Sequence, residues 1–317
     1  MPTRRPSRRP VLSVLGLALP ALWSCATAGG SAQRSLEVID AHIRAEFGTT
    51  LSDRWKVKVS REELAAEMKL NHVAGAVSTE PPSEDVSGLG VIVCSPFAGP
   101  ADEATLEAGL AAGRIRCIVV RPATARRVAG DAAYEPAYRL ARRYRVPVVL
   151  HSGDPEVAES DPRTMEGAVR GHPDVTFVLA HDGSPLDADE RDRTAWLGGH
   201  RGGPVASSFE VDPWVPAAAE VAYRNPNVVV DGSGLLAGHL RNASHEQIKR
   251  YLEVPVRWLL GYLADPGKLM FGSGWPRTDL GLYLQAFGAA LPRETWRAVL
   301  HDNAARVYRF GAAGDAR

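Results

Sequence analysis

Three histidines, His42, His151 and His181, each stand at the end of a short apolar run. An imidazole can ligate a divalent metal or move a proton near neutral pH, which few other side chains do. A lone histidine is more often packed or at the surface. Three in equivalent positions point to one shared site, although they lie far apart in sequence. Arg121 ends another such run, and Asp231 lies near the end of a further one.

The elements that must bring these residues together are strands. Apolar runs fall at Val38–His42, Val73–Ser78, Leu89–Ser95, Ile115–Arg121, Pro147–His151, Val175–His181, Asn227–Ser233 and Leu269–Ser273. Most are continuous in Val, Ile and Leu, as expected for strands covered on both faces. Helix-forming stretches lie between them, around Arg61–Met68, Asp102–Ala112 and Tyr134–Tyr144, with a capping box at Ser244–Gln247 and a last helix over Arg293–Tyr308. Residues 79–88 hold Pro81, Pro82 and Gly88 and read as a loop. Eight strand–helix units predict an α/β fold of one domain, a (β/α)8 TIM barrel over residues 36–310, with a tail at 311–317. No Gly-x-Gly-x-x-Gly follows the first strand, which counts against a dinucleotide fold. In such a barrel the strand C-termini form the active-site face.

The 317 residues carry 37 Lys and Arg against 37 Asp and Glu, so the formal net charge is zero and no nucleic-acid partner is expected. Basic residues do gather at the start, where Arg4, Arg5, Arg8 and Arg9 precede the apolar run Val11–Trp23. That run is short for a bilayer span and suits an export signal. Residues 1–28 are read as that signal, twin-arginine-like in Ser7–Leu12, and residues 29–35 as a linker. Leu22-Trp23-Ser24-Cys25 resembles a lipoprotein cleavage box, which would make Cys25 a lipid anchor and the only membrane contact; Ala26-Thr27-Ala28 offers a competing cleavage site. The expected location is the periplasm or cell envelope, or otherwise the secreted fraction. Cys94 and Cys117 sit inside apolar runs and read as buried free thiols.

Val38-Ile39-Asp40-Ala41-His42, Val148-Val149-Leu150-His151-Ser152-Gly153, Phe177-Val178-Leu179-Ala180-His181-Asp182-Gly183, Leu269-Met270-Phe271-Gly272-Ser273-Gly274-Trp275-Pro276 and Asn303-Ala304-Ala305-Arg306 follow in order. Together they resemble the amidohydrolase superfamily, in the amidohydrolase-related branch that holds aminocarboxymuconate semialdehyde decarboxylase and dicarboxylate lactonases. The resemblance implies that His42 and His151 are metal ligands and that His181 handles the proton of an attacking water. Two positions depart from the family's pattern. Arg44 stands where the second histidine of the first strand is expected, and Gly274 where the eighth-strand aspartate is expected. Arginine has no lone pair for a metal, and glycine supplies neither ligand nor base.

The metal site therefore reads as degenerate, with a divalent ion such as zinc held weakly or no metal at all. Arg44 points to the same face as His42. It either binds a carboxylate or phosphate, with Arg121 beside it, or pairs with an internal acid such as Asp40. Among the neighbouring acids, Asp40 lies a layer deeper, Asp182 faces away and Asp279 is on a loop; Asp154, just past His151, is the candidate catalytic carboxylate beside His181. Trp275 is read as lining the mouth and touching substrate. Two functions follow. One is a hydrolase or decarboxylase acting on a small, carboxylated substrate. The other is a catalytically silent, exported barrel that binds an anion or serves a structural role.

Overall fold

Runs of β-branched and aliphatic residues buried on both faces form parallel strands, because a crossover helix covers the outside and the neighbouring strands enclose the inside. The computed structural model of the protein describes residues 36–48, 59–152, 157–181, 214–235 and 243–311. The signal, linker, Cys25, Asp154, Asp182 and residues 312–317 lie outside them. Eight strands follow in order: β1 Val38–Ile43, β2 Val73–Ser78, β3 Val91–Pro96, β4 Cys117–Val120, β5 Val148–His151, β6 Phe177–Ala180, β7 Val228–Asp231 and β8 Leu269–Met270. They form one sheet in sequence order, and every neighbouring pair is parallel. All eight predicted runs are strands, although β8 is shorter than expected.

The sheet curls until its last strand meets its first. Beyond β8 the chain runs beside β1: Ala41 N donates to Phe271 O at 2.9 Å, Gly274 N to His42 O at 2.9 Å, and Arg44 N to Trp275 O at 2.8 Å. Gly274 has φ +72°, a left-handed backbone that glycine adopts without a side-chain penalty. The result is a (β/α)8 barrel.

Alternation along each strand separates two cores. Val148 and Leu150, Phe177 and Leu179, and Val228 and Val230 pack outward among the helices. Val149, Val178 and Val229 pack into the lumen with Ile39, Val77, Ile92 and Met270. Side chains two residues apart share a face. Val149 therefore predicts an inward His151, and Val229 an inward Asp231, at the level where each strand ends.

The helices begin where the sequence signals them. Arg61–Leu70 opens on a reciprocal capping box between Ser60 and Glu63, and His245–Ile248 on one between Ser244 and Gln247. Over Arg293–Tyr308 the helical path is irregular and ends in the α-helix Asn303–Tyr308. The join between β2 and β3 contains no helix, as predicted. No helix among the described residues is long and apolar enough to cross a membrane.

One expectation is corrected. Cys94 and Cys117 are not free thiols but a disulfide. They oppose one another in the β3–β4 register, both face the lumen, and their Cα atoms are 4.4 Å apart, within bridging reach. Sequence spacing alone does not reveal that opposition. In a Cys25→Ser chain denatured without reductant, thiol titration should find no free thiol, and two after reduction. Replacing the pair by alanines should lower stability by about 3 kcal/mol in chemical denaturation.

Candidate active site

The strand ends place all three histidines against one another at the mouth. His42 and His181 are each 1 % exposed and His151 8 %. Their ring centroids lie 4.3 Å (His42–His181), 4.7 Å (His151–His181) and 5.4 Å (His42–His151) apart. One nitrogen from each falls within 4.8 Å of the others. His181 holds φ +68°, a left-handed conformation uncommon for a residue with a side chain and a form of stored strain that clusters at functional sites.

Each ring is oriented by a neighbour. His42 Nδ1 lies 2.7 Å from Asp231 Oδ2, and His42 Nε2 lies 3.2 Å from Thr79 Oγ1. A carboxylate only accepts, so His42 Nδ1 carries the proton of that bond. His181 Nδ1 lies 3.0 Å from Ser233 Oγ, and His181 Nε2 lies 3.3 Å from His151 Nδ1. His151 Nε2 is buried with no hydrogen-bond partner. An under-satisfied acceptor is tolerated better than an orphaned N–H, so this atom is best read as a lone pair facing the pocket.

Burial holds His151 and His181 well below the usual imidazole range. For His151 the Arg121 guanidinium adds to this, and for His181 the neighbouring His42 does. Both are neutral at physiological pH and available as ligands.

Asp40 and Asp231 are both fully buried but hold different things. Asp40 Oδ1 accepts the backbone N–H of His42 at 3.1 Å and of Ser273 at 2.9 Å, so it ties β1 to the chain beyond β8. Burial is the largest influence on Asp40 and pushes its carboxyl up to about 7. Asp231 binds the imidazole ring of His42, and its Oδ1 accepts Ser233 N at 2.8 Å.

Arg44 and Arg121 do come together at the mouth, but around an acid the sequence did not single out. Glu80 Oε1 is 3.7 Å from Arg44 Nη2 and 2.5 Å from Arg121 Nη2. Arg121 also donates to Thr79 O at 3.1 Å. The internal partner of Arg44 is thus Glu80 and not Asp40, whose Oδ1 is taken up by backbone amides. Trp275 is 2 % exposed and packs in the outer core near Phe47, with centroids 6.4 Å apart, rather than lining the mouth. Asp279 caps the helix Leu280–Ala290. Asp154 lies outside the described residues.

Four residues were passed over as site members. Asp231 stood at a strand end with no role given, and Ser233 follows it on the same face. Thr79 and Glu80 open the helix-free join after β2. Their signal was position alone, immediately beyond the end of a barrel strand.

The chain belongs to the amidohydrolase family: the Amidohydro_2 model matches residues 39–310. No curated protein matches the sequence. Among solved structures, a candidate 2-pyrone-4,6-dicarboxylic acid hydrolase from Pseudomonas putida aligns over 88 % of this chain and 99 % of its own, at 16 % identity and TM-score 0.61. The 5-carboxyvanillate decarboxylase of Sphingomonas paucimobilis aligns over 87 % and 100 %, at 15 % identity and TM-score 0.54. An amidohydrolase from Burkholderia multivorans with bound zinc aligns over 86 % and 99 %, at 16 % identity and TM-score 0.55. At these identities the likeness is one of fold.

The three histidines fit a divalent metal in donor type: buried imidazoles, two of them held neutral, one with an unpartnered nitrogen, and one backed by a carboxylate in the manner of metal-bound histidines. Two ligands about 2.1 Å from one ion can be at most about 4.2 Å apart. Side chains spread over 4.8 Å must therefore close slightly around it.

Asp40 yields a pH test. Its folded-state value, about 7, lies above the ordinary 3.8, so the native state holds the proton more tightly than the unfolded chain does. The stability this proton contributes is full below about pH 4 and is lost as pH rises towards 7. Asp40→Asn should therefore gain on the wild type as pH rises from 4 to 8, by up to about 4 kcal/mol at roughly 1.4 kcal/mol per unit. Urea denaturation across that range measures it, and a difference that is flat or falls with pH would contradict the assignment.

Proposed function

We propose that the protein is a metal-assisted hydrolase or decarboxylase acting on a small carboxylated compound. The observation that carries this reading is the buried cluster His42, His151 and His181 beside the guanidinium groups of Arg44 and Arg121. His42 and His151 are the residues that would hold a divalent ion, leaving His181 to handle a proton, and the chemistry such an ion would supply is Lewis-acid polarisation of a substrate oxygen. Arg44 and Arg121 orient the substrate by gripping a carboxylate, a planar anion that suits the guanidinium fork. Glu80 lies between the two guanidiniums and is the group a substrate carboxylate would displace. His181, neutral and hydrogen-bonded between Ser233 and His151, is placed to accept a proton and pass it along that chain. The names of two structural neighbours, a dicarboxylic acid hydrolase and a carboxyvanillate decarboxylase, support a carboxylated ring as the substrate class.

A second reading is favoured by Gly274, which offers no carboxylate to the pocket: a catalytically silent barrel that binds an anion. Arg44, Arg121 and Arg277 all lower the proton affinity of His151, and the same positive charge opposes a dication, so weak metal binding is expected under either reading.

Elemental analysis after dialysis against zinc, with His151→Ala as control, tests the metal. Small dicarboxylates should raise the melting temperature, with a stabilisation of roughly 2.7 kcal/mol at a hundredfold excess over Kd. Arg44→Met should abolish that shift and Glu80→Gln should enlarge it. Zinc uptake together with turnover of lactone or aromatic carboxylates supports the enzyme. A carboxylate shift with neither zinc nor turnover supports the silent barrel, and no shift at all excludes both.

We further propose that the chain is exported and anchored through Cys25. A disulfide in the barrel supports this, since such bonds persist mainly in oxidising compartments. Fractionation of cells expressing the full chain should find it with membranes, and Cys25→Ser in the soluble fraction.

A further inference from the structure

The eighth strand leaves the pocket without a side chain where its motif ends. Gly274 has none, and its backbone N–H is spent on the carbonyl of His42, closing the barrel. A carboxylate nevertheless reaches His42, from the strand next door. Asp231, the last residue of β7, is fully buried and meets His42 Nδ1 at 2.7 Å. The space for it is made by Gly272, where a Cβ would fall 2.5 Å from Asp231 Oδ1 and 2.9 Å from His42 Cβ, too close for any other residue.

We propose that Asp231 is a positioning residue: it fixes the tautomer of His42 so that Nε2, beside Thr79 Oγ1, keeps its lone pair for the pocket. The proposal rests on the histidine cluster being the working site, though not on which reaction it performs. Asp231 cannot turn away, because its Oδ1 accepts Ser233 N at 2.8 Å and leaves Oδ2 aimed at the ring. Asp40 supplies the internal comparison. It is equally buried and close in space, yet its bonds go to backbone amides, so its work is to hold the strand rather than the ring.

The isosteric variant makes a sharp test. In Asp231→Asn the side-chain oxygen remains on Ser233 N, and the NH2 group then faces His42 Nδ1. An amide nitrogen donates and cannot accept, so Nδ1 must become the acceptor and the proton must move to Nε2.

Nitrogen NMR of the metal-free, histidine-labelled full chain reads the tautomer directly, and zinc titration gives its effect on affinity. In the wild type the His42 proton should sit on Nδ1. In Asp231→Asn it should sit on Nε2, with zinc affinity reduced 10- to 100-fold, the usual cost of losing a group that orients a ligand. Asp40→Asn should keep the wild-type tautomer whatever it does to stability. A wild-type His42 protonated on Nε2 overturns the proposal without any variant. An Asp231→Asn protein that folds with unchanged tautomer and unchanged affinity overturns it as well. If the wild type takes up no zinc but the tautomer inverts as stated, the metal-assisted reading fails and the role of Asp231 stands.

Discussion

Everything at the mouth depends on the seam where the end of the chain's last strand meets its first. The backbone bonds from Ala41, Gly274 and Arg44 bring residues more than two hundred positions apart into register. Without them His42 would sit on an open edge, and Asp231 would have no ring to face. With them, the first and seventh strands exchange a side-chain hydrogen bond just beyond the short β8, because the chain there carries only Gly272 where its neighbours meet. Asp40 reinforces the seam by accepting amides from both sides of it. Placing a carboxyl there is electrostatically unfavourable, as its raised proton affinity records, yet it satisfies two backbone donors that would otherwise be buried without partners.

The pocket balances charge in layers. At the bottom are two buried aspartates, then three imidazoles of which two are held neutral, and above them Arg44 and Arg121 around Glu80.

Much of this was legible in the sequence, because barrel strands write a strong signal. Continuous Val and Ile runs gave all eight strands, and an apolar neighbour two residues away, Val149 or Val229, already says which way His151 or Asp231 faces. What could not be read depends on the register between strands. Cys94 and Cys117 look like ordinary core residues until β3 and β4 are aligned. Glu80 lies in a loop, where no periodicity assigns a direction. Trp275 looked like a mouth residue because it follows Gly274, but adjacent positions point opposite ways, and its ring goes into the outer core. The acid that Arg44 meets could not be known before the β2 end was seen beside it.

The left-handed backbone at Gly274 also bears on how this site can change over generations. An aspartate introduced at that position would have to accept a positive φ at a cost that glycine avoids, in a pocket where Asp231 already meets the neighbouring histidine. Descendants of this chain are thus biased against placing a carboxylate at this position by a single substitution. A carboxylate facing the rings is therefore accommodated more readily at the end of β7, where Asp231 stands, than beyond β8.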